Sequence, residues 1–182
     1  MNIRLLEPNI NYKDSFYQMV NDYNNHNELD FPKYFDREND TFETYLKKLI
    51  DLKISKNLKP GLSSTITYWL INQNDEILGT IRFREKLNEY TLNDGGNIGY
   101  DICPSFRNKG YGNLILKLLI EKLKKKSIYK KLLITCEVDN LFSNLIVKNN
   151  GGILENKVIS KRTGKDINRY WLEITAPNTV DN

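Results

Sequence analysis

Hydrophobic positions along the chain fall into two spacings, and the change from one to the other divides it. Phe16, Met19, Val20 and Tyr23 recur every three or four residues between Asp14 and Tyr23, which predicts a helix with one apolar face. Tyr45, Leu46, Leu49, Ile50 and Ile54 repeat that spacing behind Thr41, a side-chain cap for a second helix. Pro60-Gly61 closes the region. From Asn24 to Asp40 the chain is polar, acidic and interrupted by Pro32, a loop that carries Phe31, Tyr34 and Phe35. A short strand from Ile3 to Leu6, stopped by Pro8, precedes the first helix.

β-rich runs then take over. Thr65 to Ile71 and Ile77 to Arg84 flank Asn72-Gln73-Asn74-Asp75 and predict a hairpin. A polar connection from Glu85 to Asn93 and the turn Asp94-Gly95-Gly96 lead to a strand from Asn97 to Cys103, which Pro104 ends. Gly110 opens an apolar helix in which Leu116, Leu119, Ile120 and Leu123 share a face that Ile115 and Leu118 widen. Lys131 to Val138 reads as a buried strand. Asn140 caps a short helix reaching Asn150, and Gly151-Gly152 supplies the positive-φ exit such an end favours. A last hairpin, Ile153 to Lys161 and Ile167 to Ile174, turns at Thr163-Gly164-Lys165-Asp166. The order β-α-α-β-β-β-α-β-α-β-β, without repeat or linker, predicts an α/β fold with a single mixed sheet. One domain over residues 1–182, with its core between 3 and 174, follows.

Composition narrows the class. Hydrophobic residues make up 40% and charged residues 27% of the chain, enough for a core and against wholesale disorder. No apolar run approaches the ~20 residues needed to cross a bilayer. The amino terminus, MNIRLLEPN, carries acid and proline too early for a secretory signal. Cys103 and Cys136 are the only cysteines, which excludes a disulfide scaffold and a cysteine-based zinc site. A reduced, cytoplasmic, enzyme-sized domain without metal or membrane attachment is expected. The net charge of +4 is small, but nine Lys or Arg lie between Arg107 and Lys131 against the single Glu121. Six acids lie between Glu28 and Glu43 against Lys33 and Arg37. Two solvated faces account for such runs; the alternative is that one end of the fold meets an anion and another a cation.

Chemistry concentrates in Cys103-Pro104-Ser105-Phe106-Arg107-Asn108-Lys109-Gly110-Tyr111-Gly112, where a strand ends, a basic loop follows and a long helix begins. Free N–H groups at a helix start, reinforced by its dipole, form an anion site. Gly110 and Gly112 let a phosphate approach the main chain, and Arg107 and Lys109 add positive charge. A pyrophosphate seat is expected. The loop lacks the G-x-x-x-x-G-K-[ST] of a Walker A motif, and Ile115 stands where the dinucleotide fingerprint needs its third glycine.

Arg107 to Gly112 with its preceding strand resembles the acetyl-CoA signature of the GNAT (GCN5-related) N-acetyltransferases. Asn140-Leu-Phe-Ser143 and Lys148-Asn-Asn-Gly151-Gly152 resemble the family's second motif, and the element order matches from Ile3 to Ile174. The segments from Ile81 to Tyr90 and from Gly95 to Pro104 are similar to a bacterial branch of predicted acetyltransferases. The resemblance implies the GNAT acyl-CoA N-acyltransferase fold, a mixed, mostly antiparallel seven-stranded sheet flanked by helices. It also implies direct attack of an amine on acetyl-CoA in a ternary complex. Main-chain groups of Ile102 and Cys103 are implied to pair with the pantetheine arm. Arg107, Asn108, Lys109, Gly110, Tyr111 and Gly112 are implied to hold the pyrophosphate, and Asn140, Ser143 and Asn144 to face the lower arm. Strands four and five splay in this family, so residues 103–105 and 137–140 are implied to line the cleft.

An attacking amine must shed a proton, and a carboxylate near the split is the usual acceptor. Glu137 and Asp101 are the leading candidates, with Glu85 or Glu89 from the connection behind them. Many family members place a proton-donating tyrosine seven residues after the asparagine; here that position is Val147, which leaves the general acid unassigned. A thiol pKa near ~8.5 still makes thiolate a tolerable leaving group. Phe31, Tyr34 and Glu85 are the candidate acceptor contacts, since aromatic faces beside carboxylates suit a cationic amine. The loop aromatics anchor it to the core in the alternative reading.

Cys103 and Cys136 read as buried small hydrophobes, His26 as a surface residue, and Trp69 and Trp171 as core. A CoA-binding domain with altered catalysis is the second function these residues allow. A nucleic-acid binder using Lys122 to Lys131 is disfavoured by the lack of aromatic platforms apart from Tyr129. The last hairpin offers an edge on which a second copy could pair, as the resemblance to the family implies, so a homodimer is one arrangement open to it.

Overall fold

The computed structural model describes residues 2–55, 58, 63–126 and 128–174; Pro60-Gly61 lies outside them. Among the described residues are seven strands: β1 (Arg4–Leu6), β2 (Ile66–Ile71), β3 (Ile77–Phe83), β4 (Ile98–Ile102), β5 (Lys131–Glu137), β6 (Ile153–Ile159) and β7 (Asp166–Glu173). The helices are α1 (Lys13–Asn25), α2 (Phe42–Lys53), α3 (Glu89–Asn93), α4 (Tyr111–Lys124) and α5 (Leu141–Asn149).

The strands form two wholly antiparallel sheets, β1-β2-β3-β4 and β5-β7-β6, rather than one continuous hydrogen-bonded sheet. Asn97 joins them at the foot of β4. Its N–H donates to Leu133 O at 2.7 Å, and its Oδ1 accepts from Leu133 N at 2.8 Å. Gly96 permits that approach, since a Cβ there would stand 2.4 Å from Leu133 O. Beyond this junction β4 is an edge strand, as the splay implied.

Both faces of β2 and β3 are covered, and each strand is buried throughout. Tyr68, Leu70, Ile81 and Phe83 pack with Ile115, Leu116 and Leu119 of α4 in one core cluster. Trp69, Ile71 and Ile77 pack with Phe16, Tyr23, Phe42 and Tyr45 in the other. Alternation along β2 separates the two sets, and in β3 a register irregularity opposite Leu70 and Ile71 puts Ile77 on the other face from Ile81 and Phe83. Thr41 does cap α2, in a reciprocal box with Thr44. Ile50 and Ile54, expected on its apolar face, are 58% and 59% exposed, because that face is narrower than the spacing suggested. The connection expected to be irregular contains α3, started by an Asn88–Thr91 box too short for periodicity to reveal. Trp171 is only half-buried, with Lys131 Nζ 4.5 Å from its ring centroid.

Candidate active site

The start of α4 is built for an anion. The chain leaves β4 through a single 3₁₀ turn over Pro104–Phe106, passes Asn108 at φ 60° and reaches Gly110 at φ 82°. Glycine takes that left-handed region freely and asparagine is among the few other residues that do. The first bond into the helix runs from Leu114 N to Gly110 O at 3.2 Å, and no side chain caps Gly110. The amides of Tyr111, Gly112 and Asn113 precede that bond and are left to an outside acceptor, with the helix dipole behind them. Gly112 serves packing as well: a Cβ on it would stand 2.5 Å from Ile146 Cδ1 of α5.

Arg107 grips Glu28 of the α1–α2 loop through two bonds of 2.5 and 2.6 Å, and its Nε donates to Ile102 O at 3.0 Å. Hydrogen bonding from Arg107 holds the Glu28 carboxyl below its ordinary range, and the same contact pushes the guanidinium up. Lys109 turns back, donating to Ser105 O at 2.9 Å beside the Phe106 ring.

Strand alternation decides which main-chain groups of β4 are open. Cys103 N donates to Leu78 O at 3.0 Å, and its thiol lies 3.3 Å from Ile77 O. Residues two apart in an antiparallel ladder share a direction, so Asp101 also faces β3, while Tyr100 and Ile102 turn their N–H and C=O to the free edge. The main chain of Ile102 is thus open on the free edge of β4. That of Cys103 is not, and burial pushes its thiol pKa up.

A cleft of about 560 Å³ runs along this edge, bordered by Ile102, Arg107, Gly110, Asn140 and Ser143, with Phe31 at one end. Asn140 caps α5, its Oδ1 accepting from Ser143 N at 3.0 Å. Ser143 Oγ lies 3.0 Å from the Tyr100 hydroxyl and 3.2 Å from Cys136 Sγ. Asn144 is turned to the core. Its Nδ2 donates to Glu137 O and Asn140 O at 2.8 and 2.7 Å, and its Oδ1 accepts from Asn168 and Tyr170 at 2.8 and 2.7 Å. Those four bonds use it entirely in tying α5 to β5 and β7. Val147 is fully buried.

The candidate carboxylates are placed very differently. Asp101 borders the cleft, but its oxygens are engaged: Thr80 Oγ1 lies 2.9 and 3.0 Å from the two, Tyr23 donates to one at 2.8 Å, and Arg82 pairs with the other at 2.5 Å. Burial and then the Asp101 charge push the Tyr23 phenol far up, so Tyr23 stays a donor. Glu137 instead pairs with Lys165 at 2.6 Å on the last hairpin. Glu85 accepts from Tyr129 at 2.5 Å, beside Phe83, on the α4 side of the sheet. Neither is brought to the cleft. Tyr34 sits at φ 73° among the residues packed on the α1–α2 core, and Phe35 packs edge-on to Phe16 at 5.0 Å. Phe31 is the loop aromatic that reaches the cleft, stacked on Tyr23 at 5.4 Å.

Tyr100, Tyr23, Arg82 and Glu28 were not singled out from sequence. Tyr23 sits in an apolar stripe and Arg82 in a strand, where nothing local marks them. No cluster of His, Cys, Asp or Glu among the described residues could hold a metal ion, and no helix among them is long and apolar enough to cross a membrane.

The chain is 28% identical over 127 residues to the ribosomal-protein-serine acetyltransferase of Escherichia coli, a match covering 70% of this chain and 64% of that protein. Its fold is shared by an acetyltransferase from Salmonella typhimurium that modifies the N-terminal serine of ribosomal protein L7/L12 (TM-score 0.68, 21% identity, 96% of each chain). It is shared also by spermidine N-acetyltransferase from Vibrio cholerae, solved with CoA and spermine (TM-score 0.64, 15% identity, 96% of each chain). The family model for acetyltransferases matches residues 16–145, which takes in most of α1, the loop, β4, the start of α4 and the cap of α5, and the chain belongs to the acetyltransferase (GNAT) family.

Proposed function

We propose that this protein moves the acetyl group of acetyl-CoA to a primary amine, by direct attack of the amine within a ternary complex. The observation that carries this reading is the uncapped start of α4 opening on a cleft beside the free edge of β4. Asn108, Lys109, Gly110, Tyr111 and Gly112 hold the pyrophosphate, with Arg107 above it. Ile102 offers its main chain to the pantetheine arm, and Asn140 and Ser143 flank the lower arm. Cys103 and Asn144 support this surface from behind. The acetyl donor supplies an activated carbonyl; the chain aligns it and excludes competing geometry.

The acceptor is a small cationic amine or a peptide amine, and the loop favours the latter. Glu28 is spent on Arg107, Asp40 on Lys48 and Glu43 on Lys13, while Asp36 accepts from Glu38 N and Asn39. Asp30 and Glu38 do not border the cleft, and the Phe31 ring that does already has Lys33 Nζ 4.5 Å from its centroid, which suits an uncharged body behind a single amine better than a polycation. The ribosomal-protein acetyltransferases among its relatives support that choice. Asp101, the one carboxylate among the residues bordering the cleft, orients the amine and receives its proton directly or through water; Glu137 anchors the last hairpin. The exposed Ile153, Leu154 and Ile159 of edge strand β6 suit pairing with a second copy.

Incubation with acetyl-CoA and two acceptors, a serine-initiated peptide and spermidine, tests the reading by thiol release. Steady release with the peptide is expected. Tight CoA binding with no release from any primary amine would select the alternative of a CoA-binding domain with altered catalysis, which Val147 favours.

A further inference from the structure

Tyr23 stacks on Phe31 and donates to Asp101, so those two residues mark one end of the cleft. Past that end the same face of the sheet carries a cation without a counter-ion. Arg84 continues the β3–β4 ladder beyond Phe83: its N–H donates to Asn97 O at 2.8 Å, and Asn97 Nδ2 donates to Arg84 O at 2.8 Å. Side chains alternate along a strand, so Arg84 shares a face with Thr80 and Arg82 and lies opposite Phe83 and its α4 contacts. Register puts Asp101 and Gly99 on that face too, across from Thr80 and Arg82. Gly99 leaves the floor between Asp101 and Arg84 bare, since a Cβ there would meet the Arg82 guanidinium at 3.6 and 3.8 Å. Arg82 spends its charge on Asp101. Arg84 has no ion pair among the described residues; its Nη1 donates to Gly96 O and Gly95 O at 3.3 and 3.5 Å. The acids nearest to it along the chain are taken, Glu85 by Tyr129 and Asp94 by Ser160 and Arg162. Burial lowers the Arg84 guanidinium, the Tyr34 phenol beside it offsets part of that, and the Arg82 charge adds to the lowering. A half-buried cation left so is costly, and an anion supplied by a ligand offsets the cost.

We propose that Arg84, with Tyr34 beside it, is a specificity-determining residue that pairs with an acidic side chain at the third or fourth residue of a peptide acceptor. The inference rests on the acetyl-transfer reading of the cleft, in which the amine stands at Asp101. Arg84 lies opposite Asn97, four residues along β4 from Asp101, which is roughly 13 Å at 3.3 Å per residue. An extended peptide covers that span in about four residues, and the reach of the arginine and acidic side chains shortens it by about one. A free amino acid, with its carboxylate two bonds from its amine, is too short for the span. A polyamine would bring charge of the wrong sign.

Two series of serine-initiated peptides test this by thiol release from acetyl-CoA, with Asp, Asn or Lys as the one variable residue, at position three or at position four. The wild type should use the better Asp peptide about tenfold more efficiently, in kcat/KM, than its Asn counterpart, and the Lys peptide less well still. The preference should shrink as salt rises. In Arg84→Gln the ratio of Asp to Asn should fall to about one, and Arg84→Glu should turn the preference toward Lys. Equal use of the Asp and Asn peptides by the wild type at both positions overturns the proposal without any variant, as does an Arg84→Gln protein that keeps the wild-type ratio. If CoA binds and no peptide releases thiol, it is the transferase reading that fails. Calorimetry of the same peptides on the CoA-loaded protein then reads the preference as affinity, and equal binding of Asp and Asn peptides overturns the proposal there too.

Discussion

Asn144 and Gly112 show how little a motif residue's role follows from its place in the motif. Asn144 makes four hydrogen bonds within the core. Asn144→Ala leaves the buried Tyr170 hydroxyl and the Asn168 amide without their acceptor, while Glu137 O and Asn140 O keep the main-chain donors Asn140 N and Asn144 N, so it should cost roughly 1–3 kcal/mol. Urea denaturation measures this, and CoA affinity of the remaining folded protein should hold. Gly112 faces the flexible end of Ile146, 2.5 Å from where a Cβ would stand. Gly112→Ala should destabilise by about 1–3 kcal/mol through overpacking, and Ile146→Val in the same chain should recover part of the loss. A variant pair with no such recovery would mean that the contact with Ile146 is not what requires the glycine. For the carboxylates, Asp101→Asn should lower turnover severely while Glu137→Gln changes it less than about twofold, because an exposed ion pair is worth little.

At the level of elements, the α1–α2 loop is clasped to the phosphate loop by Glu28 and Arg107. Asp22 adds a second tie, accepting from Ser105 N at 3.0 Å and Ser105 Oγ at 2.5 Å. The Glu28 carboxylate stands beside the seat proposed for a pyrophosphate and competes for the same guanidinium. Glu28→Gln should therefore tighten CoA binding about twofold to fivefold at low salt, an advantage that shrinks as salt screens the site. Calorimetry at two ionic strengths distinguishes this from a neutral change. The loop was legible as a polar aromatic segment, but its clasp joins residues 79 apart in sequence and carries no local signal.

For the whole molecule, acid stability follows from paired carboxylates. Glu28 is held below its ordinary range by hydrogen bonding to Arg107, Glu43 by Lys13, and Asp36 by Asn39 with further help from its neighbours' amides. Each has a folded-state value below its unfolded one. The stability each adds is full above the unfolded carboxylate range near ~4 and is lost as pH falls through the folded value. Thermal midpoints should thus hold on descent to about pH 5 and drop below about pH 4, all three groups giving way on the α1–α2 side. A midpoint that instead declines between pH 7 and 5 would point to a group other than these.

The amino-acid sequence alone determined the order of the strands and of every helix but the short α3, the capped starts of α2 and α5, and the basic turn before α4. Spacings of two and three to four residues, caps and left-handed turns act over a few neighbours and are written locally. Tertiary structure alone decided that Ile102 and not Cys103 opens its main chain to the cleft, because that depends on which residues bond to β3. It also decided that Asp101 is surrounded by Tyr23, Thr80 and Arg82, that Glu137 faces away, and that Tyr100 meets Ser143. Asp101 and Tyr23 are 78 residues apart, and Tyr100 and Ser143 are 43 apart. Such contacts are chosen by the packing of sheets and helices against one another, a collective outcome that no short window of sequence contains.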